Sequence, residues 1–315
     1  MVGWFKKPIK ALADIYSGGT PCTNTAEYWN GDIIWVTPSD ITKQGSKYLS
    51  HSERNITQKG INNSPATLMP SGTLLLCTRA TIGELAIASR PAATNQGFKN
   101  LACHNDVNNE FLYYALQLVK PKMFELAIGS TFLEISKTAL ENIEVDIPLF
   151  PEQQAIATTL SDADGYIAAL EQLIVKKRNI KKGAMQELLT GKRRLPGFSG
   201  EWVNMNLATN STLKARIGWQ GLTTAEYLNE GYSYLITGTD FDNGKITWTT
   251  CHFVDKRRYD QDINIQVENG DVLITKDGTI GKVAIVDNLS HKATLNSGIF
   301  VLRPKAGIYD SKYVY

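Results

Sequence analysis

The sequence holds no Cys-x-x-Cys pair: Cys22, Cys77, Cys103 and Cys251 stand far apart. That spacing excludes a zinc ribbon or a paired redox motif and fits free buried thiols in a reducing compartment. Cys103-His104 and Cys251-His252 have no further ligands nearby, so no metal site is expected. Long apolar runs are missing too, which excludes a membrane-spanning helix. The start, MVGWFKKPIKALADI, has no apolar stretch of signal-peptide length, so a soluble cytoplasmic protein is expected. Charge of one sign is scarce: the net charge is +2 over 315 residues, too little to argue for nucleic acid in bulk. What is present is an ordinary globular composition, with length for two domains.

The most suggestive local stretch is GDVLITKDGTIGKVAIV, residues 270–286. A phosphate loop requires four residues before Gly-Lys and then Ser or Thr for magnesium. Here only Thr279 and Ile280 separate Gly278 from Gly281-Lys282, and Val283 follows. The apolar run after it reads as a strand, so the stretch is a strand–turn–strand unit rather than a nucleotide site.

That unit occurs twice. GTLLLCTRATIGELAIA at 72–88 pairs with 270–286 at an offset of 198, matching Thr81-Ile82-Gly83 to Thr279-Ile280-Gly281. TAEYW (25–29) answers TAEYL (224–228), WVTPSDI (35–41) answers LITGTDF (235–241), and TNQGF (94–98) answers LNSGI (295–299). A period near 200 residues is a duplicated domain, far beyond solenoid periods. Glycines and aliphatic positions persist between the copies, while polar residues in the turns change: one scaffold carrying two surfaces, or drift in solvated loops.

Between the copies lies PEQQAIATTLSDADGYIAALEQLIVKKRNIKKGAMQELLTG (151–191). Ile156, Leu160, Ala163, Ile167, Leu170 and Ile174 step by four and three, the seam of a coiled-coil helix. Pro151 suits its first turn and Gly191 its stop. Such a helix is about 60 Å long and needs a second helix along its stripe. Lys176, Lys177, Arg178, Lys181, Lys182, Lys192, Arg193 and Arg194 crowd its far end. These cations fit either a solvated face favoured by the helix dipole or a strip facing phosphate or a partner. The expected fold class is α+β: two related mixed α/β domains separated by a long coiled-coil-forming helix. Its parts are a first domain at 1–150, the helix at 151–192, a linker at 193–200 and an incomplete second domain at 201–315.

The helix and its flanks, ENIEVDIPLFPEQQAIATTL and onward to LLTGKRRLPGFSGEW, resemble the central region of specificity subunits of type I restriction–modification systems. SGGTP (17–21), WVTPSDI, TRATIG (78–83) and TNQGF occur in the order of their target-recognition domains. WQGLTTAEY, LITGTDF and the 270–286 stretch resemble a second such domain of another type. The resemblance implies a subunit without catalytic chemistry, whose two domains each read half of a split, asymmetric double-stranded DNA site. It implies that paired antiparallel helices set the unread gap and dock methyltransferase subunits, with nuclease–translocase subunits joining. S-adenosylmethionine, ATP and Mg2+ are then expected only on those partners. The family's second long helix does not follow DSKYVY (310–315), so self-association through the unpaired helix is a further expectation.

Base edges are read by Arg and Lys at guanine and by Asn and Gln at adenine, with hydroxyls serving either. The variable turn positions give the DNA-binding candidates: Ser39, Lys43, Thr78, Arg79, Asn95, Gln96 and Lys99 in the first copy. Thr239, Asn243, Lys276, Asp277 and Asn296 are those of the second. Asp40 and Asp240, present in both, read as turn-stabilising residues. No catalytic residue is expected: a GxGxxG loop and the Asn/Asp-Pro-Pro-Tyr/Phe signature of adenine methyltransferases are both absent. Glu144 and Asp146 sit in a strand-like run with no lysine where a nuclease would need one. The alternative function is a coiled-coil scaffold with no DNA role.

Overall fold

A computed structural model describes residues 3–129, 133–305 and 307–315, the side chain of Trp219 excepted. The chain divides into two compact units, Met1–Gln186 and Glu187–Tyr315.

Among the described residues the first unit carries ten strands: β1 (Phe5–Pro8), β2 (Ala13–Ser17), β3 (Trp29–Val36), β4 (Tyr48–Leu49), β5 (Arg54–Ile56), β6 (Leu74–Cys77), β7 (Leu85–Ala88), β8 (Ala92–Thr94), β9 (Phe98–Cys103) and β10 (Glu144–Ile147). A five-stranded sheet runs β2-β9-β6-β7-β4, a three-stranded sheet runs β5-β3-β8, and β1 pairs with β10. The apolar runs LLLC and LAIA are buried throughout because both faces of the larger sheet are covered. Side chains alternate between the faces. Leu74, Leu76, Leu85 and Ile87 enter one core with Phe111, Leu112 and Leu116 of the helix Asn109–Leu118. Leu75, Cys77, Ala86 and Ala88 enter a second core with Ile34, Val36 and Phe98.

The second unit carries β11 (Ser211–Ala215), β12 (Ser233–Ile236), β13 (Phe241–Asp242), β14 (Lys245–Ile246), β15 (His252–Val254), β16 (Val272–Thr275), β17 (Val283–Ile285), β18 (Ala293–Leu295) and β19 (Ile299–Pro304). Its sheets run β11-β19-β16-β17-β14-β13 and β15-β12-β18, the same order as in the first unit with one added edge strand. The registers repeat as well. Leu75 pairs with Ala86 across β6 and β7, and Leu273 pairs with Ala284 across β16 and β17. The parallel pairs β3–β8 and β12–β18 correspond in turn. The 270–286 stretch is therefore a strand–turn–strand hairpin, with no helix after its glycines.

The long helix, Phe150–Leu188, has 39 residues and so extends about 58 Å. Its root is fixed by Gln153, which is buried and fully satisfied: its amide donates to the Pro148 and Asp106 carbonyls, and its oxygen accepts from Asn108 N at 2.9 Å. Ala157 is buried in the first core, and Ile156 packs against that core rather than standing in a helix–helix seam. The remaining seam positions, Leu160, Ala163, Ile167, Leu170 and Ile174, are exposed. Among the described residues no helix is long and apolar enough to cross a membrane.

Cys77 and Cys251 are buried and Cys103 is half-buried, whereas Cys22 is exposed, against the expectation of four buried thiols. It lies in the loop between β2 and β3, where its carbonyl accepts from the Trp29 indole at 3.1 Å.

Candidate nucleic-acid interface

In each unit three segments meet where strands of the two sheets end. In the first, Asn95 N donates to Val36 O at 3.0 Å and Thr78 N to Gly97 O at 2.7 Å. These bonds bring the 95–97 turn against both the residues after β3 and the β6–β7 turn. In the second, Asn296 N donates to Ile236 O at 2.9 Å and Lys276 N to Gly298 O at 2.8 Å. The two backbone bonds that tie these segments together therefore correspond between the units.

Each cluster starts with a capping box. Thr37 N donates to Asp40 Oδ2 at 2.8 Å, and Thr37 Oγ1 lies 2.9 Å from Ser39 Oγ. Thr237 N donates to Asp240 Oδ2 at 2.7 Å, and Thr237 Oγ1 lies 2.7 Å from Thr239 Oγ1. The second carboxylate oxygens are used too, by Glu53 N at 2.9 Å for Asp40 and by Thr250 Oγ1 at 2.9 Å for Asp240. Both aspartates therefore spend their lone pairs inside the turn, while Ser39 and Thr239 are exposed at corresponding places.

Exposed at the first cluster are Ser39, Arg79 and Gln96, with Asn95 half-buried. Gln96 Oε1 accepts from Thr20 Oγ1 at 2.5 Å, which adds the SGGTP loop to the group. That loop can enter because Gly18 has no side chain; a Cβ there would stand 1.9 Å from Asn95 O. Asn95 Oδ1 accepts from Gly97 N at 2.9 Å, so its oxygen is committed to the turn.

Three candidates of the first copy are placed differently. Thr78 is wholly buried, and its hydroxyl donates to Gly97 O at 3.1 Å; it is scaffold. Lys99 lies within β9 opposite Leu76 and is buried, which pulls its ammonium below the usual lysine range. The charges that act on it are those of Glu134, Arg79 and Lys137, so it lies close to the Arg79–Glu134 pair while itself buried. Lys43 ends the short helix Pro38–Lys43 and pairs with Glu53 at 3.3 Å.

In the second unit, Lys276 and Asp277 are exposed on the β16–β17 turn. The Lys276 ammonium stands over the Phe300 ring at 5.3 Å, and the Asp277 carboxylate lies against Gly298. Asn296 is half-buried, its amide donating to Tyr227 OH at 2.6 Å. Asn243 is separate from this group: it occupies the β13–β14 turn with φ 47°, beside the far end of β17.

Two participants were not singled out from sequence. Glu134 pairs with Arg79 at 2.6 Å across a chain separation that no local pattern reveals. Arg216 occupies the place of Gly18, is almost wholly buried, and donates through Nε to Leu295 O at 2.8 Å. Among the described residues no group of His, Cys, Asp and Glu is arranged to hold a metal.

Residues 1–178 match the family described as "Type I restriction modification DNA specificity domain". The type I restriction enzyme MjaIX specificity subunit of Methanocaldococcus jannaschii is 41% identical over 166 residues, 52% of this chain and 38% of that one. The EcoR124I/EcoR124II specificity subunit of Escherichia coli is 28% identical over 165 residues, 50% of this chain and 40% of that one. The matches thus span well under half the length of these curated relatives. The solved S subunit of a type I restriction–modification system from M. genitalium shares the fold, with TM-score 0.53 at 18% identity, covering 98% of this chain and 75% of that one. With its family match extending over more than half the sequence and a duplicated domain beneath it, this chain belongs to the type I restriction–modification DNA specificity family.

Proposed function

We propose that this chain reads DNA for a type I restriction–modification complex, each unit setting its turn cluster against one half of a split site, and performs no chemical step itself. The observation that carries this is the duplicated cluster: corresponding backbone bonds and capping boxes beneath, different exposed side chains above. Arg79, Gln96 and Ser39 face out in one unit, and Lys276, Asp277 and Thr239 in the other. Two base-reading surfaces on one scaffold are what an asymmetric bipartite site requires. A coiled-coil scaffold without DNA contact leaves the duplicated clusters and the family match without a role.

The exposed stripe Leu160, Ile167, Leu170 and Ile174 supports docking of another helix, from a partner or a second copy. Methyltransferase subunits are the partners proposed for it, with nuclease–translocase subunits joining the assembly. S-adenosylmethionine, ATP and Mg2+ belong in this reading to those chains.

The test is DNA binding by this chain alone and together with its methyltransferase subunit, across a salt series. The expected result is sequence-selective binding with the partner present, falling steeply as salt rises through counterion release. Equal affinity for all duplexes in the presence of the partner contradicts the reading.

A further inference from the structure

We propose that Glu134 is a positioning residue for base recognition: it braces the Arg79 guanidinium so that its remaining N–H donors meet one guanine edge. The inference rests on the reading of the β6–β7 turn as a DNA-facing element.

Arg79 Nη2 lies 2.6 Å from Glu134 Oε2, and both side chains are partly open to solvent, 46% and 30% exposed. The pair is fixed from behind on both sides. Arg79 and Glu134 form an antiparallel backbone bridge, and Ile135 N donates to Thr78 O at 3.1 Å. Ile135 is wholly buried in the first core, so the neighbour of Glu134 is an anchor. Glu134 is further held by mutual backbone bonds with Ile128, at 2.9 and 3.1 Å. Thr78, the neighbour of Arg79, is buried and bonded to Gly97 through both its amide and its hydroxyl.

A guanidinium has five N–H donors in a rigid fork. One contact to Glu134 leaves enough donors for a bidentate approach to guanine O6 and N7. Without the carboxylate, Arg79 is a long flexible side chain that must be ordered on binding, and freedom lost at that moment weakens the correct contact. The second unit meets the same need differently. Lys276 takes the place of Thr78 and Asp277 that of Arg79, so the cation has moved by one residue; Phe300, which takes the place of Lys99 in the register, lies beneath the Lys276 ammonium.

The alternative role for the same contact is occlusion, in which Glu134 competes with DNA for Arg79. The two roles differ in the ratio of affinities for the cognate duplex and for duplexes substituted at each position of the half-site. The experiment measures that ratio by fluorescence anisotropy, using the full chain in complex with its methyltransferase subunit. Arg79→Ala is expected to lower the ratio at one base pair by roughly tenfold or more. Glu134→Ala is expected to lower it at that same base pair and no other, and Glu134→Gln, which keeps an acceptor, to restore most of it. The double variant should lose no more than Arg79→Ala alone. If Glu134→Ala tightens binding to every duplex with the ratio unchanged, the contact is occlusive and the proposal is overturned. If Arg79→Ala itself leaves the ratio intact, the turn is not a reading element, and the reading beneath the proposal fails separately.

Discussion

Lys47 Nζ stands 2.9 Å from Glu110 Oε2, with only 8% of the lysine side chain exposed. Ser161 on the long helix reaches the same carboxylate oxygen at 2.5 Å, and Tyr48 OH bonds to the other. Lys47 also contacts Tyr114 OH at 3.0 Å, while Tyr114 donates to Asp164 Oδ2 at 2.6 Å. The hub therefore ties the segment after the capping-box helix to the root of the long helix. Burial pushes the Glu110 carboxyl up, but hydrogen bonds from Ser161, Tyr48 and Lys47 outweigh it and hold the group low. Burial pulls Lys47 down, and its bonds to Tyr114 and Glu110 hold it high.

Lys47→Met is expected to destabilise the first unit by about 2–4 kcal/mol, because it strands a part-buried carboxylate. The pH dependence carries a sign. A carboxyl held low contributes stability above its ordinary value of 4.5, and that contribution is lost as pH falls through the folded value. An ammonium held high contributes below 10.5 and loses its contribution as pH rises through the folded value. Urea titrations across pH should show the wild type losing stability at both ends and Lys47→Met losing less at each.

Asp40 and Asp240 have both carboxylate oxygens bonded within the protein, which sets them apart from the proposed reading surface. Replacing either by Ala is expected to cost about 1–2 kcal/mol. Asp240 should cost the more, since it is buried at 3% exposure. Base selectivity of the folded fraction should be unchanged. A loss of selectivity with stability intact would assign these residues to readout.

Ala80 has φ 58°, a left-handed conformation that its counterpart Gly278 adopts at 61° without strain. Ala80→Gly should stabilise the first unit by about 0.5–1 kcal/mol, the relief of strain exceeding the added chain entropy. Gly278→Ala should destabilise the second by a similar amount. Thermal denaturation of the two variants checks both signs.

Iodoacetamide at mildly alkaline pH should alkylate Cys22 alone in the native protein. Its thiol is exposed and lowered by a hydrogen bond to Thr25. Burial pushes Cys77, Cys103 and Cys251 up to about 12. Native-state labelling followed by peptide mass spectrometry reads the outcome, and rapid modification of a second cysteine would contradict it.

The duplication was legible in the sequence because strand scaffolds need glycines at their turns and aliphatics on their faces, and both signals survive divergence. The capping aspartates were legible for the same reason. Exposure within a turn was not. Thr78 and Arg79 are neighbours, yet one is sealed under Gly97 and the other faces out, and only the hydrogen bonding of a distant turn decides which. Lys99 was misplaced because a lysine next to a turn residue looks solvated until the strand register puts it under cover. Glu134 was invisible because its bearing on Arg79 comes through a bridge between segments far apart in sequence. On the helix, the apolar repeat marked one continuous stripe. The structure gives its first member to the core of the first unit and leaves the rest uncovered.

Two turn clusters on one scaffold, under the proposed function, read separate parts of one DNA site. Methyladenine mapping in cells expressing this chain with its methyltransferase subunit measures that directly, comparing wild type with Arg79→Ala and Lys276→Ala. The expected result is a motif of two defined parts around an unread gap, each variant relaxing a different part. A single uninterrupted motif, or variants that relax the same part, would contradict it.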